Sequence, residues 1–544
     1  MTPPLALQLD PEDTVAVALE NLPAQASIEL DGQLFTTSDP IPAKHKFALR
    51  AFAVRDPIRM YGVTVARARL PIALGGLLTT ANVLHDAEDF HSAQSAPYRW
   101  SPPDVARFEG RTFAGYHRAD GQVGTRNYWL VIPLVFCENR NVEALREAFE
   151  EELGYARSKA WRQQVRQLVG TIHHTQLPHA PALESTTHRI FPNLDGIRFL
   201  THQGGCGGTR DDARALCGLL AGYIHHPNVA GATVLSLGCQ HAQPAMLLEE
   251  LQKRDPASTK PVLIFSQQEC GTESALLSRA IDQTFAALVT ANRIEREPAP
   301  LSALTVGLKC GGSDGFSGIS ANPAIGQLSD LIVALGGRTI LSEFPELCGV
   351  EQNLIDRCES PESAQRFVAL MRAYQARARA VNSGFEMNPS PGNIRDGLLT
   401  DAIKSAGAAR KAGTAPVADV LDYPEYATTR GLTLLCTPGN DVEAVTGQVG
   451  AGANLVLFTT GLGTPTGNPI APVLKLSTNR ALADRMPDII DLDTSPVLRG
   501  EATLAEMGER ILDLVLETAS GKRLTHAETL RQDDFIPWKR GVSL

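Results

Sequence analysis

Residues 309–326 read KCGGSDGFSGISANPAIG, and this stretch decides how the chain is interpreted. An apolar run at 304–308, typical of a strand, comes before it, and residues 327–335 carry leucine and isoleucine at helical spacing. The pattern predicts a strand-to-helix turn. Glycines let such a turn approach a ligand closely, and the first N–H groups of a helix attract anions. We therefore expect a binding site here, with Ser313 and Asp314 between its glycines, and not a flexible connection.

Strand-like and helix-like segments alternate on both sides of this stretch, which predicts βαβ units and a parallel sheet. Five of the strand-like segments end at, or shortly before, a cysteine: Cys137, Cys206, Cys239, Cys270 and Cys310. Ligands of parallel α/β sheets bind at the carboxyl ends of the strands. Five cysteines at that position predict one thiol-lined crevice.

Composition limits the class of protein. The chain has 544 residues, which predicts about three domains, and 43% of them are hydrophobic, which is enough for full cores. Its net charge of −10 gives no electrostatic reason to bind nucleic acid or an acidic membrane surface. The first ten residues carry neither a basic region nor a long apolar run, so we expect no signal peptide, and no apolar run approaches the length of a membrane span. Nine scattered cysteines fit a reducing compartment, so we expect a cytoplasmic protein.

The first 90 residues contain many short strand-like runs separated by glycine and proline, which predicts a small all-β module. Within it, residues 42–49 read PAKHKFAL and put His45 between two lysines at a strand start. Either this is a solvated basic edge, or it is a loop that reaches an anionic ligand or a metal. Farther along, Glu343 and Glu346 follow a strand, and a Gly/Thr loop at 460–467 suits an oxygen-rich anion.

The order of these motifs resembles the altronate/galactarate dehydratase family of sugar-acid hydro-lyases, over nearly the whole chain and closest to its altronate type. The segments that carry the resemblance are 44–49, 120–127, 205–207, 226–228, 238–243, 310–326, 343–346, 388–393 and 458–461. The resemblance implies a multidomain α/β fold in four parts. These are an N-terminal SAF-like β-clip module (1–95), a linker (96–112), a Rossmann-like parallel α/β domain (113–300) and a C-terminal α/β catalytic domain (301–544).

Four positions depart from the family pattern. Leu462 stands where an arginine is usual between two glycines, and residues 394–397 read IRDG where a Lys-x-Gly-Gly is usual. Gln240 replaces a glutamate, and residues 79–81 lack the usual histidines. The lost cations predict either a different sugar acid or a weakened dehydratase, with Arg395 as a partial substitute for the missing lysine.

The resemblance implies loss of water from a sugar acid such as D-altronate to give a 2-keto-3-deoxy acid. A base removes the proton next to the carboxylate, and a divalent metal or cationic groups stabilise the enediolate. The family is associated with Fe(II), or with Mn(II) in some members. Thiolate ligands would also suit an iron–sulfur cluster, which is the less favoured alternative.

The expected site residues combine these motifs with the resemblance. The expected catalytic residues are Asp314, Ser313, His45, Lys46 and His202. The expected substrate contacts are Gly311, Gly312, Ser317, Asn322, Arg126, Asn393, Arg395, Thr460 and Lys475. The expected metal ligands are Cys206, Cys239, Cys310 and Cys137.

Other functions compatible with the sequence are a dehydratase for galactarate or another aldonate or aldarate, a lyase that expels sulfite from sulfolactate, and a non-catalytic sugar-acid-binding paralogue. The four departures distinguish the catalytic hypotheses from the binding hypothesis, because they affect the substrate's anionic contacts. We expect a small-molecule substrate, no nucleic-acid or membrane partner, and a homo-oligomer, most simply a dimer.

Overall fold

The computed structural model describes residues 4–95, 97–156, 160–172 and 189–544. Its N-terminal part is built from short strands, as the sequence predicts. The strands are β1 (Ala6–Leu7), β2 (Val15–Ala18), β3 (Ser27–Leu30), β4 (Gln33–Thr36), β5 (Lys46–Ala48), β6 (Pro57–Met60), β7 (Val63–Ala68) and β8 (Val83–His85). They pair antiparallel as β1-β2-β5, β3-β4 and β6-β7-β8.

The middle of the chain forms a four-stranded parallel sheet in the order β12-β11-β13-β14 and a small antiparallel sheet in the order β10-β9-β15. The strands are β9 (Thr112–His117), β10 (Val123–Gly124), β11 (Tyr128–Pro133), β12 (Gly196–Phe199), β13 (Val229–Ser236), β14 (Val262–Ser266) and β15 (Glu297–Pro300). The helices are α1 (Asn139–Glu152), α2 (Ala160–Ile172), α3 (Arg210–His225), α4 (Pro244–Arg254), α5 (Gln267–Cys270) and α6 (Glu273–Ala291).

The remainder forms a seven-stranded parallel sheet in the order β18-β19-β17-β16-β20-β21-β22. Its strands are β16 (Thr305–Cys310), β17 (Arg338–Leu341), β18 (Val417–Leu421), β19 (Gly431–Leu435), β20 (Leu455–Thr460), β21 (Val473–Ser477) and β22 (Leu492–Asp493). The helices are α7 (Ala321–Ala334), α8 (Glu351–Asp356), α9 (Pro361–Ala380), α10 (Pro391–Arg395), α11 (Asp401–Ala409), α12 (Asp441–Gly450), α13 (Arg480–Arg485), α14 (Leu504–Ala519) and α15 (His526–Thr529).

Both faces of this sheet are covered, as a parallel sheet requires. Along β20, Leu455 and Leu457 join the core that contains α7 and α14. Val456 and Phe458 point the other way, into a core shared with α12 and α3. The strand therefore reads as a continuous apolar run, and α3 joins the two parallel sheets into one packed body.

The strand order of the seven-stranded sheet fixes where a ligand can bind. From β16 the chain moves to β17 on one side, and it returns later to place β20 on the other side. The connections that follow β16 and β20 diverge at this point, which leaves a crevice at the carboxyl ends of the two strands. Cys310 ends β16 and Thr460 ends β20, so the stretch first singled out in the sequence lies at this crevice.

The cysteine prediction is wrong in one respect. Cys137, Cys206, Cys239 and Cys270 follow the strands of the four-stranded sheet, whereas Cys310 ends a strand of the seven-stranded sheet. The five do not share a crevice, because a strand-end pattern does not reveal which sheet a strand joins. Separately, no helix in the described ranges is both long enough and apolar enough to cross a bilayer.

Candidate active site

A cavity of about 380 Å³ opens at the crevice between β16 and β20. It is lined by Cys310, Gly311, Gly312, Ser313, Glu346, Asn388, Ser390, Asn393, Lys404, Gly439, Asn440, Asp441 and Leu462. Two cavities elsewhere are larger, about 900 and 590 Å³. The cavity of about 380 Å³ is the candidate site because, of these three cavities in the described residues, it is the one where almost fully buried charged side chains lie beside a glycine-rich turn.

The turn at 311–313 is held by the two strands that flank the crevice. The Gly311 N–H donates to the Thr459 carbonyl at 3.0 Å, and the Gly461 N–H donates to the Gly312 carbonyl at 3.0 Å. Gly312 has a φ of 58°, in the left-handed region that favours glycine. Thr460 Oγ1 accepts the Gly463 and Thr464 N–H groups and so shapes the opposite loop.

Asp314 holds this turn from behind and does not line the cavity. Its carboxylate is fully buried and accepts hydrogen bonds from the Phe316 N–H, Ser317 Oγ, Thr478 Oγ1 and Asn479 Nδ2. The Lys44 ammonium adds an ion pair at 3.0 Å. With five donors, the carboxylate has no free lone pair directed at a substrate, so the geometry favours a positioning role over the predicted role of base.

The N-terminal module clamps the same turn. Lys44 Nζ bridges Asp314 and Asp396 at 3.0 Å each. Lys46 Nζ donates to the Gly397 carbonyl at 2.7 Å, and a Cβ added at Gly397 would overlap the Lys44 carbonyl oxygen. His45 is half-buried, and its Nδ1 lies 3.2 Å from the Ala43 carbonyl oxygen, outside the cavity lining. The segment predicted as a catalytic or anion-binding loop therefore docks one module onto another.

Buried charges form the floor of the cavity. Lys411 Nζ lies 2.7 Å from Cys310 Sγ and 3.1 Å from Glu343 Oε2. Lys309 Nζ pairs with Glu343, and it also contacts Asp441 Oδ1 at 2.9 Å. Lys309, Cys310, Glu343 and Lys411 are all at most 1% exposed. Buried charges of this kind are stable only when paired, and here each has a partner.

Two further groups bring this cluster to the cavity wall. Lys404 Nζ donates to Glu346 Oε1 at 2.9 Å and to Asn388 Oδ1. The Cys310 thiol donates to the other oxygen of Glu346 at 3.5 Å. The cavity thus presents a carboxylate, an ammonium and a thiol side by side.

The backbone at Glu343 is unusual. Its φ of 69° is in the left-handed region, which costs a non-glycine residue of order 1–2 kcal/mol. The conformation lets the Glu343 side chain reach both Lys309 and Lys411 while the next residues, Phe344–Leu347, turn as a short 3-10 helix that carries Glu346 to the cavity. Such strain is typical of a functional site.

The charges fix the protonation states near neutral pH. Burial opposes ionisation of Glu346, but Lys404, Lys309 and Lys411 outweigh it and lower the pKa of this carboxyl. Burial has the largest single effect on Lys404 and lowers its pKa, but Glu346, Cys310 and Glu343 together raise the pKa above its ordinary value, so the ammonium is retained. Burial raises the pKa of the Cys310 thiol to about 11, against the effect of Lys411. The groups are therefore carboxylate, ammonium and neutral thiol.

The donor set at the floor does not fit the implied Fe(II) or Mn(II). Cys310 Sγ, one oxygen of Glu343 and one of Glu346 lie within 4.8 Å of one another, which is the spacing of ligands around one metal. However, each of the three donors already contacts a lysine ammonium. A divalent cation would add two positive charges beside these ammonium groups. Because the ammonium groups already pair with the carboxylates, no negative charge is left to balance the metal.

Only one other group of at least three close potential ligands occurs in the ranges that the structure describes. It consists of Asp120, His225 and Asp255, and it lines a different cavity. Neither group contains Cys137, Cys206 or Cys239. The predicted centre shared by Cys206, Cys239 and Cys310 is therefore not assembled, because two of its members lie on the other parallel sheet.

Several of the predicted site residues line the cavity: Gly311, Gly312, Ser313, Asn393 and Cys310. Leu462 lines it too, so the departure from the family pattern lies at the site. The Arg395 side chain is 76% exposed, and its Nε lies 3.8 Å from Asp396 Oδ2.

Other predicted residues lie elsewhere and have structural partners. The Arg126 guanidinium is buried against the Glu528 carboxylate and the Thr518 carbonyl, so it is used in packing and does not reach this cavity. Lys475 Nζ donates to Gln532 Oε1. Asn322, in α7, accepts a hydrogen bond from Thr459 Oγ1 of β20. None of the three lines the cavity.

His202 and the remaining cysteines belong to the four-stranded sheet. His202 Nε2 lies 2.8 Å from the Pro133 carbonyl oxygen, and His202 and Cys206 line the separate cavity of about 590 Å³. Cys137 and Cys239 are exposed at neighbouring strand ends. Ser317, predicted as a substrate contact, is instead hydrogen-bonded to Asp314.

Lys404 and Lys411 were not predicted from the sequence. They lie in and just after α11, whose other residues are mainly small: DAIKSAGAA. A helix of small residues packs closely on all sides, and a lysine within it must find a buried partner. That composition is the signal that could have identified both lysines.

Three family models match consecutive parts of the chain. The family model described as D-galactarate/altronate dehydratase, C-terminal, matches residues 301–543. The second-domain model of D-galactarate dehydratase/altronate hydrolase matches 115–292, and the altronate/galactarate dehydratase SAF domain matches 4–86.

Curated relatives match the chain over most of its length. Altronate dehydratase of Escherichia coli (strain K12) is 33% identical over 535 residues, 98% of each chain. Altronate dehydratase of Bacillus subtilis (strain 168) is 32% identical over 99% of each chain. Galactarate dehydratase (L-threo-forming) of Escherichia coli (strain K12) is 30% identical over 90% of this chain and 88% of its own. Three consecutive family models and these full-length relatives confirm the resemblance: the chain belongs to the altronate/galactarate dehydratase family of sugar-acid hydro-lyases.

Proposed function

We propose that this chain removes water from an aldonate such as D-altronate in the cavity between β16 and β20, giving a 2-keto-3-deoxy acid. The observation that carries the proposal is the trio of Glu346 carboxylate, Lys404 ammonium and Cys310 thiol in one wall. The altronate dehydratases among its relatives support the substrate class.

Each of the three groups has a role in dehydration. Glu346 accepts the proton from the carbon next to the substrate carboxylate, and the Lys404 ammonium stabilises the negative charge of the enediolate. The Cys310 thiol gives its proton to the neighbouring hydroxyl, which leaves as water. The thiolate that remains faces the Lys411 ammonium at 2.7 Å.

The site then returns to its starting state. The enol gives up its O–H proton as it tautomerises and gains one at the carbon that lost the hydroxyl. Protonated Glu346 returns its proton to the Cys310 thiolate, 3.5 Å away. The balance is one sugar acid converted to one keto acid and one water, and no redox step is required.

The charges of the cavity favour a substrate with one carboxylate. Lys404 is the cation that lines the described cavity, and Leu462 supplies no charge. A dicarboxylate such as galactarate needs a second cation at its far end, which Arg395 would have to provide from the rim. We therefore infer that an aldonate is a better substrate than an aldarate.

A product assay with matched variants tests the proposal. Glu346→Gln should lower kcat with D-altronate by at least about 10²-fold, because it removes the base and keeps the shape. Glu351→Gln is the control, since Glu351 is also 2% exposed but lies outside the cavity lining. Full activity in Glu346→Gln would refute the assignment. No turnover of any sugar acid by the natural protein, with altronate still raising its melting temperature, would favour the binding paralogue.

The finer organisation is part of the proposal. The middle region (113–300), with its four parallel strands and flanking helices, is assigned as a Rossmann-like domain, and 301–544 as the catalytic domain. The proposed reaction includes no step on Fe(II) or Mn(II), because the donors at the cavity floor do not fit either ion. A homodimer stays a prediction, and a solution mass measurement tests it.

A further inference from the structure

The cavity floor resembles a metal site in its donors and differs from one in its charges. Cys310 Sγ, Glu343 and Glu346 lie within 4.8 Å of one another. Lys411 contacts Cys310 and Glu343, Lys309 contacts Glu343, and Lys404 contacts Glu346. Every donor that could bind a cation is thus already bound by one.

The charges of this cluster balance. Three ammonium groups, from Lys309, Lys404 and Lys411, face three carboxylates, from Glu343, Glu346 and Asp441. All of these side chains except Asp441 are at most 9% exposed, so water does not screen an additional charge. A divalent cation would leave the cluster with two uncompensated positive charges.

The ammonium groups of Lys309 and Lys411 cannot easily move away from the three donors. Lys309 belongs to the central strand β16, and its Nζ also donates to the Cys310 carbonyl at 2.9 Å. Lys411 is in the turn after α11 and is 1% exposed. Moving either ammonium away would bury it without a partner, which is costlier than leaving it in place.

We propose that the ammonium groups of Lys309, Lys404 and Lys411 take the place of a divalent metal at Cys310, Glu343 and Glu346, so that the reaction of this cavity needs no metal there. The inference deepens the proposed function and rests on it for the reaction. The ammonium groups supply the positive field that stabilises an enediolate, and Lys411 also stabilises the Cys310 thiolate.

The structural half of this proposal is tested without measuring turnover, by anaerobic titration with Co(II). A thiolate bound to Co(II) gives a charge-transfer absorption band, and subtracting the Cys310→Ala spectrum isolates the contribution of Cys310. We expect no Cys310-dependent band in the natural protein. Lys411→Met should acquire one, because it removes an ammonium group and leaves Cys310 and Glu343 without it. The band should vanish again in Lys411→Met/Cys310→Ala.

Two results of the Co(II) titration would overturn the proposal. One is a Cys310-dependent band in the natural protein, and the other is a folded Lys411→Met protein that still binds no Co(II). If Lys411→Met does not fold, Lys404→Met serves the same purpose, since it frees Glu346 at the cavity wall. In the active enzyme, chelator treatment should change kcat by less than twofold, and a larger loss would overturn the claim that the reaction needs no metal in this cavity. Failure to turn over any sugar acid would refute the proposed function and leave the Co(II) result unaffected.

Discussion

Lys44→Met tests whether the N-terminal module holds the turn at 311–313 in place. The substitution keeps the length of the side chain and removes an ammonium group that bridges Asp314 and Asp396 at 3.0 Å each. Burial lowers the pKa of Lys44, but the two carboxylates outweigh it and raise the pKa, so the charge is present throughout the neutral range.

The expected loss follows from the burial of Asp314. Removing one partner of a buried ion pair costs about 3–5 kcal/mol. Asp314 keeps four other donors and Lys44 is 19% exposed, which places the loss in free energy of unfolding lower, at about 2–3 kcal/mol. Because the turn lines the cavity, kcat/KM should also fall by roughly 10- to 100-fold.

Urea unfolding and a keto-acid assay measure the two effects. Lys253→Met is the matched control, since Lys253 also bridges two carboxylates, at 2.8 and 2.9 Å, but is 53% exposed. Solvent screening should make its loss unmeasurable. Asp314→Asn completes a double-mutant cycle, and the double variant should lose less than the sum of the single losses. Equal stability of Lys44→Met and Lys253→Met would refute the reasoning, and so would additive losses in the cycle.

Three further outcomes are expected. Leu462→Arg should raise kcat/KM for galactarate by about tenfold or more, because a charge-assisted contact is worth about 1.5–3 kcal/mol. No gain in a folded variant would show that Leu462 does not contact the substrate. Burial lowers the pKa of His202 from 6.5 to about 4, so the free energy of unfolding should fall by up to about 3 kcal/mol as the pH drops through that window. In His202→Gln, the urea midpoint should depend less on pH over the same window. Gly397→Ala should cost roughly 2 kcal/mol or more, because φ is 92° and the Cβ would overlap the Lys44 carbonyl oxygen; an unchanged melting temperature would contradict this.

The position of the site was predictable, because it depends on local pattern. A buried strand, a glycine-rich turn and a helix are each visible in sequence, and parallel topology places the turn at a strand's carboxyl end. The predicted helix start at residue 327 was late, since α7 begins at Ala321. Pro323 lies in the stretch that the sequence predicts as a turn, but proline is tolerated in the first turn of a helix.

The composition of the site was less predictable, because it depends on tertiary contacts. Glu343 and Glu346 were noticed as carboxylates after a strand, but nothing local shows that Lys411 contacts Cys310, 101 positions earlier in the chain. In the same way, Arg126 stands in a family motif and pairs with Glu528, 402 positions away. Motif membership indicated importance without distinguishing a packing role from a substrate contact.

The bridge between Lys44 and Asp396 also bears on how the protein is made, because it joins residues 352 positions apart. At a ribosomal rate of 5–20 residues per second, roughly 20–70 s separate the synthesis of the two ends. The N-terminal module is therefore synthesised while its lysines have no partner but water. The contacts of Lys44 with the glycine-rich turn and Asp396 form only after the chain beyond residue 396 emerges. Activity should appear only when translation is nearly complete, and a nascent chain stopped earlier would carry a folded first module beside an unformed candidate site.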